Sequence, residues 1–114
     1  MPYINLKTNK TVSADKCELL KKGFGKAIEC FDGKTEAWLM VSIESEAQLW
    51  FRGDNSGDIA IVDVDLLGQV NGANSEAMTV EVCKLLSEVL DISSDMVYVK
   101  YSGYKDWGWN NSNF

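Results

Sequence analysis

Hydrophobic residues recur along the chain with two different periods. From residue 20 and again from residue 78, they fall at i, i+4, i+7, i+8 and i+11, which forms one face of an amphipathic helix. The two faces are Leu20, Phe24, Ala27, Ile28 and Phe31, and Met78, Val82, Leu85, Leu86 and Val89. The pattern predicts two helices, each burying one apolar stripe. For the first helix, Ser13 is the expected N-cap, Asp15 suits the first turn, and Gly33 lies just past the end.

Four other segments alternate between apolar and polar positions, which is typical of strands. One face collects Ile4, Leu6, Leu39, Val41, Ile43, Val62, Val64, Leu66, Val97 and Val99. The other collects Tyr3, Asn5, Lys7, Trp38, Met40, Ile61, Asp63, Asp65, Tyr98 and Lys100. A helix between two strands implies parallel pairing. We therefore predict an α/β (α+β) fold, in which two β-α-β repeats (about 2–43 and 59–101) form a four-stranded mixed sheet with both helices on one face, within a single domain spanning 1–114.

The second strand face mixes large apolar side chains with charges, so a lone chain would leave it partly uncovered. We therefore expect an oligomer that covers it. Between the repeats, Trp50 and Phe51 are expected on a short edge strand as subunit contacts. The last residues, "YKDWGWNNSNF", are rich in aromatic side chains, which predicts a docked terminus instead of a frayed one.

Composition narrows the chemistry. The net charge is −6, which disfavours binding to nucleic acid or to an anionic membrane, and no apolar stretch is long enough for a membrane span. With no secretory leader visible, the chain is expected in the cytoplasm, or exported without a signal peptide. Three cysteines without a C-x-x-C pair read as reduced, mostly core thiols. Histidine is absent, so an enzyme here needs another base.

The only proline of the chain is Pro2, directly after Met1. Two interpretations are open. Pro2 is an accident of a frayed end, or its ring nitrogen is a reagent that becomes a free amine when Met1 is removed.

Several stretches together carry a resemblance: "MPYINLKTN", "GK" at 33–34, "LLG" at 66–68, "VYVKY" at 97–101 and "WGWNNSNF" at 107–114. In this combination the chain resembles the macrophage migration inhibitory factor family of the tautomerase superfamily, in register along its whole length apart from a small deletion near 102–106. The resemblance implies a homotrimer of β-α-β-β-α-β subunits with sites between neighbours. It implies a cofactor-free keto–enol tautomerase that acts on phenylpyruvate-like 2-oxo acids.

The resemblance also assigns roles. The family's catalytic base corresponds to Pro2 after removal of Met1, and the lysine that holds the substrate carboxylate corresponds to Lys34. The assisting backbone amide corresponds to Leu67, and the strand tyrosine contributed by the neighbouring subunit to Tyr98. Aromatic pocket walls correspond to Tyr3, Trp107, Trp109 and Phe114.

Three departures from the family pattern limit what is carried over. "IAIV" at 59–62 replaces the C-x-x-C of the vertebrate relatives, so a thiol oxidoreductase role has no residues to perform it. Lys100 replaces the neighbour's asparagine and is expected to bring a second ammonium to the pocket, disfavouring hydroxylated aryl substrates. Arg52 is the only arginine, which fits poorly with the arginine-dependent branches of the superfamily.

Two alternatives to the enzyme stay open at this point. The chain could be a cytokine-like ligand that keeps the pocket as scaffold and binds a receptor protein if exported. It could also be a trimeric domain with no surviving activity. The intact pair of Pro2 and Lys34 favours the enzyme over the inactive domain.

Overall fold

The structure, a computed structural model, describes residues 1–114. Its strands are β1 (Pro2–Thr8), β2 (Met40–Glu44), β3 (Ala60–Leu67) and β4 (Val97–Tyr104), and its helices are α1 (Ala14–Ala27) and α2 (Gly72–Leu90). A short hairpin, β5 (Gly108–Trp109) and β6 (Ser112–Asn113), closes the chain. Single 3-10 turns lie at Ile28–Cys30, Glu36–Trp38 and Ser94–Met96.

The four long strands form one mixed sheet in the order β2-β1-β3-β4. Strands β1 and β2 are parallel, as are β3 and β4, because a helix connects each pair. The two halves meet along the antiparallel pair β1 and β3, which places Pro2 opposite Leu66 and Thr8 opposite Ala60. The predicted four-stranded mixed sheet with two helices on one face is confirmed.

The core lies between the helices and the apolar face of the sheet. Alternate residues of β1 and β3 are buried, as the period of two requires. From the helices, Leu20, Phe24 and Ile28 of the first stripe and Met78, Val82 and Leu86 of the second have no exposed surface. Each such side chain contributes roughly 1.5–3 kcal/mol of hydrophobic stabilisation. The core therefore fixes which face of each strand is turned away from it.

The helix ends follow local capping chemistry. The Ser13 hydroxyl accepts a hydrogen bond from the Lys16 backbone N–H at 3.3 Å, so the predicted N-cap of α1 is confirmed. Helix α2 begins after Asn71, whose side-chain oxygen accepts from the backbone N–H groups of Ala73 and Asn74. This second cap was not predicted, although asparagine is among the preferred N-cap residues.

Two local predictions were wrong. Trp50 and Phe51 do not form an edge strand, since Phe51 makes only a single bridge with Asp54 in a tight turn. Trp38 does not lie on a strand, because β2 begins at Met40 and Trp38 ends a 3-10 turn. In both segments a turn takes the backbone hydrogen bonds that a strand ladder would have needed.

The three cysteines are free thiols, as expected, but none is fully buried. Cys17, Cys30 and Cys83 are each partly exposed, so the prediction that most of these thiols lie in the core was wrong. They lie on or just after the helices, at the borders of the buried stripes, where a small apolar side chain is tolerated. No helix has the length and apolar character that crossing a membrane requires.

Candidate functional site

The outer face is the side of the sheet turned away from the helices, and its side chains form regular rows across the strands. Strand register defines three of these rows. The first is Met40, Tyr3, Asp65 and Ser102; the second is Ser42, Asn5, Asp63 and Lys100; the third is Glu44, Lys7, Ile61 and Tyr98. The first row lies at the end of the sheet where β1 begins.

A cavity of about 700 Å³ opens beside the first row. That volume lies within the range of small-molecule sites. Its lining is mainly apolar and comprises Met1, Pro2, Tyr3, Ala37, Trp38, Leu39, Met40, Asp65, Tyr104, Trp107, Gly108, Trp109 and Phe114. Four of the predicted site residues, Tyr3, Trp107, Trp109 and Phe114, therefore line the same cavity as Pro2.

The C-terminal hairpin builds one wall of this cavity. Asn110 and Asn111 both have positive φ angles, which a two-residue hairpin turn of the primed type requires. The turn folds the chain back, so that the Phe114 backbone N–H donates to the Trp107 carbonyl at 3.0 Å. The aromatic C-terminus is docked, as its composition predicted.

The wall is completed by a residue from the other half of the chain. Trp38 meets Trp109 edge-on, with ring centroids 5.1 Å apart, and Phe114 stacks on Trp109 at 5.9 Å. About half of each of these three side chains stays exposed. A contiguous group of half-exposed aromatic rings is unusual on a protein surface and is typical of the wall of a ligand-binding site.

Met1 and Pro2 line the other end of the cavity, and Lys34, which is not part of the lining, lies next to the Met1 amine. Pro2 is buried, and the Met1 carbonyl accepts a hydrogen bond from the Leu67 backbone N–H at 3.0 Å. The Lys34 ammonium donates to the Leu67 carbonyl at 3.1 Å and lies within hydrogen-bonding reach of the Met1 amine. The turn after Phe31 positions Lys34, since the Lys34 backbone N–H donates to the Phe31 carbonyl.

This environment changes the chemistry of the terminal amine. The pKa of the Met1 amine is lowered, first because burial penalises the charged form and then because the Lys34 ammonium repels a second positive charge. A terminal amine at this place loses its proton at a lower pH than an exposed one. A larger fraction of it is therefore neutral at a given pH than of an exposed terminal amine.

Tyr98 and Lys100 do not reach this cavity within one chain. Leu66, which pairs with Pro2, is five positions along β3 from Ile61, which pairs with Tyr98. Two strand spacings separate β1 from β4, so Pro2 and Tyr98 lie about 19 Å apart. Tyr98 instead packs edge-on against Phe51, with ring centroids 5.0 Å apart. Tyr98 could belong to such a site only if another copy of the chain supplied it.

Lys100 has a partner of its own. Its ammonium lies 2.9 Å from a carboxylate oxygen of Asp63 in the neighbouring strand. The hydrogen bond and the charge of Asp63 raise the pKa of Lys100, with smaller contributions from Asp65 and Tyr104. Within one chain Asp63 holds this ammonium, and the contribution of Lys100 to a neighbouring copy's pocket stays a prediction.

Among the lining residues that sequence reasoning did not assign to the site, three carry aromatic or charged side chains: Trp38, Asp65 and Tyr104. Trp38 and Asp65 had been placed on the second strand face without a role, and Tyr104 fell in the stretch of the deletion. The Tyr104 hydroxyl donates to Asp65 at 3.3 Å, and the Tyr104 carbonyl accepts from the Gly68 backbone N–H at 2.8 Å. The alternation of β4 could have placed Tyr104 on the outer face, two positions beyond Ser102.

Comparison with known proteins shows the family to which the chain belongs. The family model for macrophage migration inhibitory factor matches residues 1–114. The chain belongs to the macrophage migration inhibitory factor family. It is 31% identical to the macrophage migration inhibitory factor of Mus musculus over 84 residues, which cover 72% of each chain.

Solved structures of the family share the fold over nearly the whole chain. Leishmania major MIF2 superposes with a TM-score of 0.91 at 23% identity, covering 100% of this chain and 97% of that one. The macrophage migration inhibitory factor homologue of Prochlorococcus marinus superposes with a TM-score of 0.86 at 28% identity, covering 98% of each chain. The recognised resemblance to the family is confirmed.

Proposed function

We propose that this member of the macrophage migration inhibitory factor family is a cofactor-free keto–enol tautomerase for phenylpyruvate-like 2-oxo acids. Pro2 acts as the general base once Met1 has been removed. The observation that carries the proposal is that the start of β1 lines an aromatic cavity and contacts Lys34 and the Leu67 backbone just beside it.

Each part of the reaction has a group suited to it. The proline nitrogen takes a proton from the carbon next to the keto group, and the electron pair moves to the keto oxygen, which becomes the enol oxygen on protonation. The Lys34 ammonium binds the substrate carboxylate, and the Leu67 N–H, which Met1 occupies in the longer chain, becomes free to assist it. The aromatic wall holds the aryl group and excludes water.

Only the first residue of a chain can serve as a basic proline. Anywhere else its nitrogen is a tertiary amide without a basic lone pair. At the start of β1 the ring fixes the direction of that lone pair relative to the strand. Burial and the Lys34 charge act on a terminal amine here by lowering its pKa, so a useful fraction would be neutral near pH 7.

We further propose a homotrimer, in which the outer face of one copy is covered by its neighbours and Tyr98 of one copy completes the cavity of the next. Large apolar side chains on that face support this proposal, since Met40 is 69% exposed and Tyr98 is 61% exposed in the single chain. The separation of Tyr98 from Pro2 within one chain supports it as well.

The test follows enolisation of phenylpyruvate by ultraviolet absorbance, with protein whose loss of Met1 is verified by intact mass. The wild-type chain should catalyse the reaction, and Pro2→Gly, with Met1 still removed, should keep an amine but lose most of the rate. A wild-type chain that gives no rate above buffer would overturn the proposal. Light scattering should give about three times the 12.7 kDa mass of one chain, and a monomer at micromolar concentration would exclude the trimer.

A further inference from the structure

The aromatic cavity contains a negative group, and the positive group of Lys34 lies beside it. Asp65 is the only residue of its lining with a side-chain carboxylate. It lies on β3 opposite Tyr3 and two residues before Leu67, whose carbonyl accepts from Lys34. Two residues along a strand span about 7 Å. A ligand held by Lys34 at one end can therefore reach a carboxylate at the other.

The Asp65 carboxylate has unused capacity to accept hydrogen bonds. Its one side-chain partner is the Tyr104 hydroxyl at 3.3 Å, which is long for a bond from a hydroxyl to a carboxylate. No ammonium or guanidinium lies within 4.0 Å of it, because Lys100 pairs with Asp63 instead. An ionised carboxylate has room for about four donors. The half-buried Asp65 is thus open to a donor from a ligand.

We infer that Asp65, oriented by Tyr104, is a specificity-determining residue that selects substrates by the charge of the end remote from the 2-oxo acid. A hydroxyl or ammonium group on that end is favoured, because it donates to Asp65. A second carboxylate is rejected, because like charges repel in a water-poor cavity. The inference rests on the proposed function and reverses the effect expected from Lys100, which was to disfavour hydroxylated aryl substrates.

The chain offers a matched control in Asp63. It lies two residues from Asp65 on the same strand and the same face, but its carboxylate is paired with Lys100 and does not line the cavity. Asp65→Asn and Asp63→Asn therefore remove the same charge from neighbouring positions, only one of which faces the ligand. Tyr104→Phe removes the orienting hydroxyl alone.

The experiment compares kcat/KM for phenylpyruvate, 4-hydroxyphenylpyruvate and 4-carboxyphenylpyruvate in the wild type and these variants. Asp65→Asn should raise the kcat/KM of the carboxylated compound relative to that of the hydroxylated compound roughly tenfold or more. The hydroxylated compound loses a hydrogen bond to a charged group, and the carboxylated compound is no longer repelled. Asp63→Asn is made together with Lys100→Asn, so that no ammonium is freed near Asp65, and it should leave the ratio unchanged. Tyr104→Phe should lower selectivity less than Asp65→Asn. Equal shifts for Asp63→Asn and Asp65→Asn would overturn the inference.

A second readout separates this inference from the proposed function. Binding of 3-phenylpropionate and its 4-hydroxy and 4-carboxy analogues is measured by calorimetry, which needs no turnover. If phenylpyruvate is not enolised but the wild type binds the 4-hydroxy acid most tightly and Asp65→Asn loses that order, the tautomerase proposal fails and the role of Asp65 stands. If the order of dissociation constants is the same in both proteins, Asp65 does not select the ligand.

Discussion

The two ends of the outer face differ in kind. At the end where β1 begins, the cavity combines an aromatic wall with Asp65, and Lys34 lies beside it next to the start of the chain. At the opposite end a small hollow of about 110 Å³ is lined only by hydrophobic residues. These are Leu49, Trp50, Phe51, Ile59, Ala60, Ile61, Met96 and Tyr98.

The difference teaches what each end can do. Chemistry needs charged or basic groups at fixed positions, and only the first end has them. The apolar hollow offers contact area, and the Tyr98 hydroxyl is the one phenol among its lining side chains. The proposed assembly joins the two, because the Tyr98 of one copy then lies beside the amine of the next.

Blocking the chain's start should have the largest effect and would break the assignment of chemistry to the first end. An alanine added before Pro2 turns its nitrogen into an amide, so enolisation of phenylpyruvate should fall by roughly 100- to 10,000-fold, the usual contribution of a general base. Circular dichroism and light scattering should be unchanged. An extended protein with the wild-type rate would return Pro2 to the reading of a frayed end.

Removing the positive group at that end should have the next largest effect. Lys34→Ala should raise KM for phenylpyruvate roughly 10- to 100-fold, because a charge-assisted hydrogen bond to the carboxylate is lost. The same change removes one of the causes that lower the pKa of the terminal amine, so the acidic limb of the pH profile of kcat/KM, where the base becomes protonated, should move to higher pH. Lys22→Ala, an exposed lysine of α1, is the control. If neither KM nor the pH profile changes in Lys34→Ala, Lys34 is a solvated loop residue without a role in substrate binding.

Mixing two defective variants tests whether Tyr98 of one copy completes the site at the start of β1 in another copy. Tyr98→Ala alone should lower kcat/KM, and the size of this loss is measured first on the unmixed variant. When it is unfolded and refolded at equal ratio with the alanine-extended chain, about a quarter of the sites should combine a free Pro2 with a neighbour's Tyr98 and regain wild-type activity. Mixed activity no higher than the average of the two parents would place Tyr98 outside the neighbour's site.

The smallest effect is expected at Lys100. Because Asp63 holds its ammonium, Lys100→Asn should change the preference between phenylpyruvate and 4-hydroxyphenylpyruvate by less than about fivefold, the range of exposed ion pairs. That shift should be smaller than the one caused by Asp65→Asn. A larger shift for Lys100→Asn would show that the ion pair opens in the assembly and that Lys100 faces the ligand.

Much of the fold could be predicted because its patterns are local. The helical stripes through Phe24 and Val82 and the alternation of β1 and β3 each need only a few neighbouring residues. The hairpin turn at Asn110 and Asn111 was not recognised as such, although its residues are those that accept positive φ. Predictions failed at Trp38 and Trp50, where short apolar runs fit a strand and a turn equally well.

The sequence by itself determined the two β-α-β units, the apolar face of the sheet and the family resemblance, because spacing along the chain and motif identity are written in it. Only the tertiary structure decided that Trp38 joins Trp109, that Asp65 faces the cavity and that Asp63 pairs with Lys100. These are contacts between residues far apart in the chain. They depend on strand register and on the path of a turn, and a shift of one residue would reverse the face on which each side chain lies.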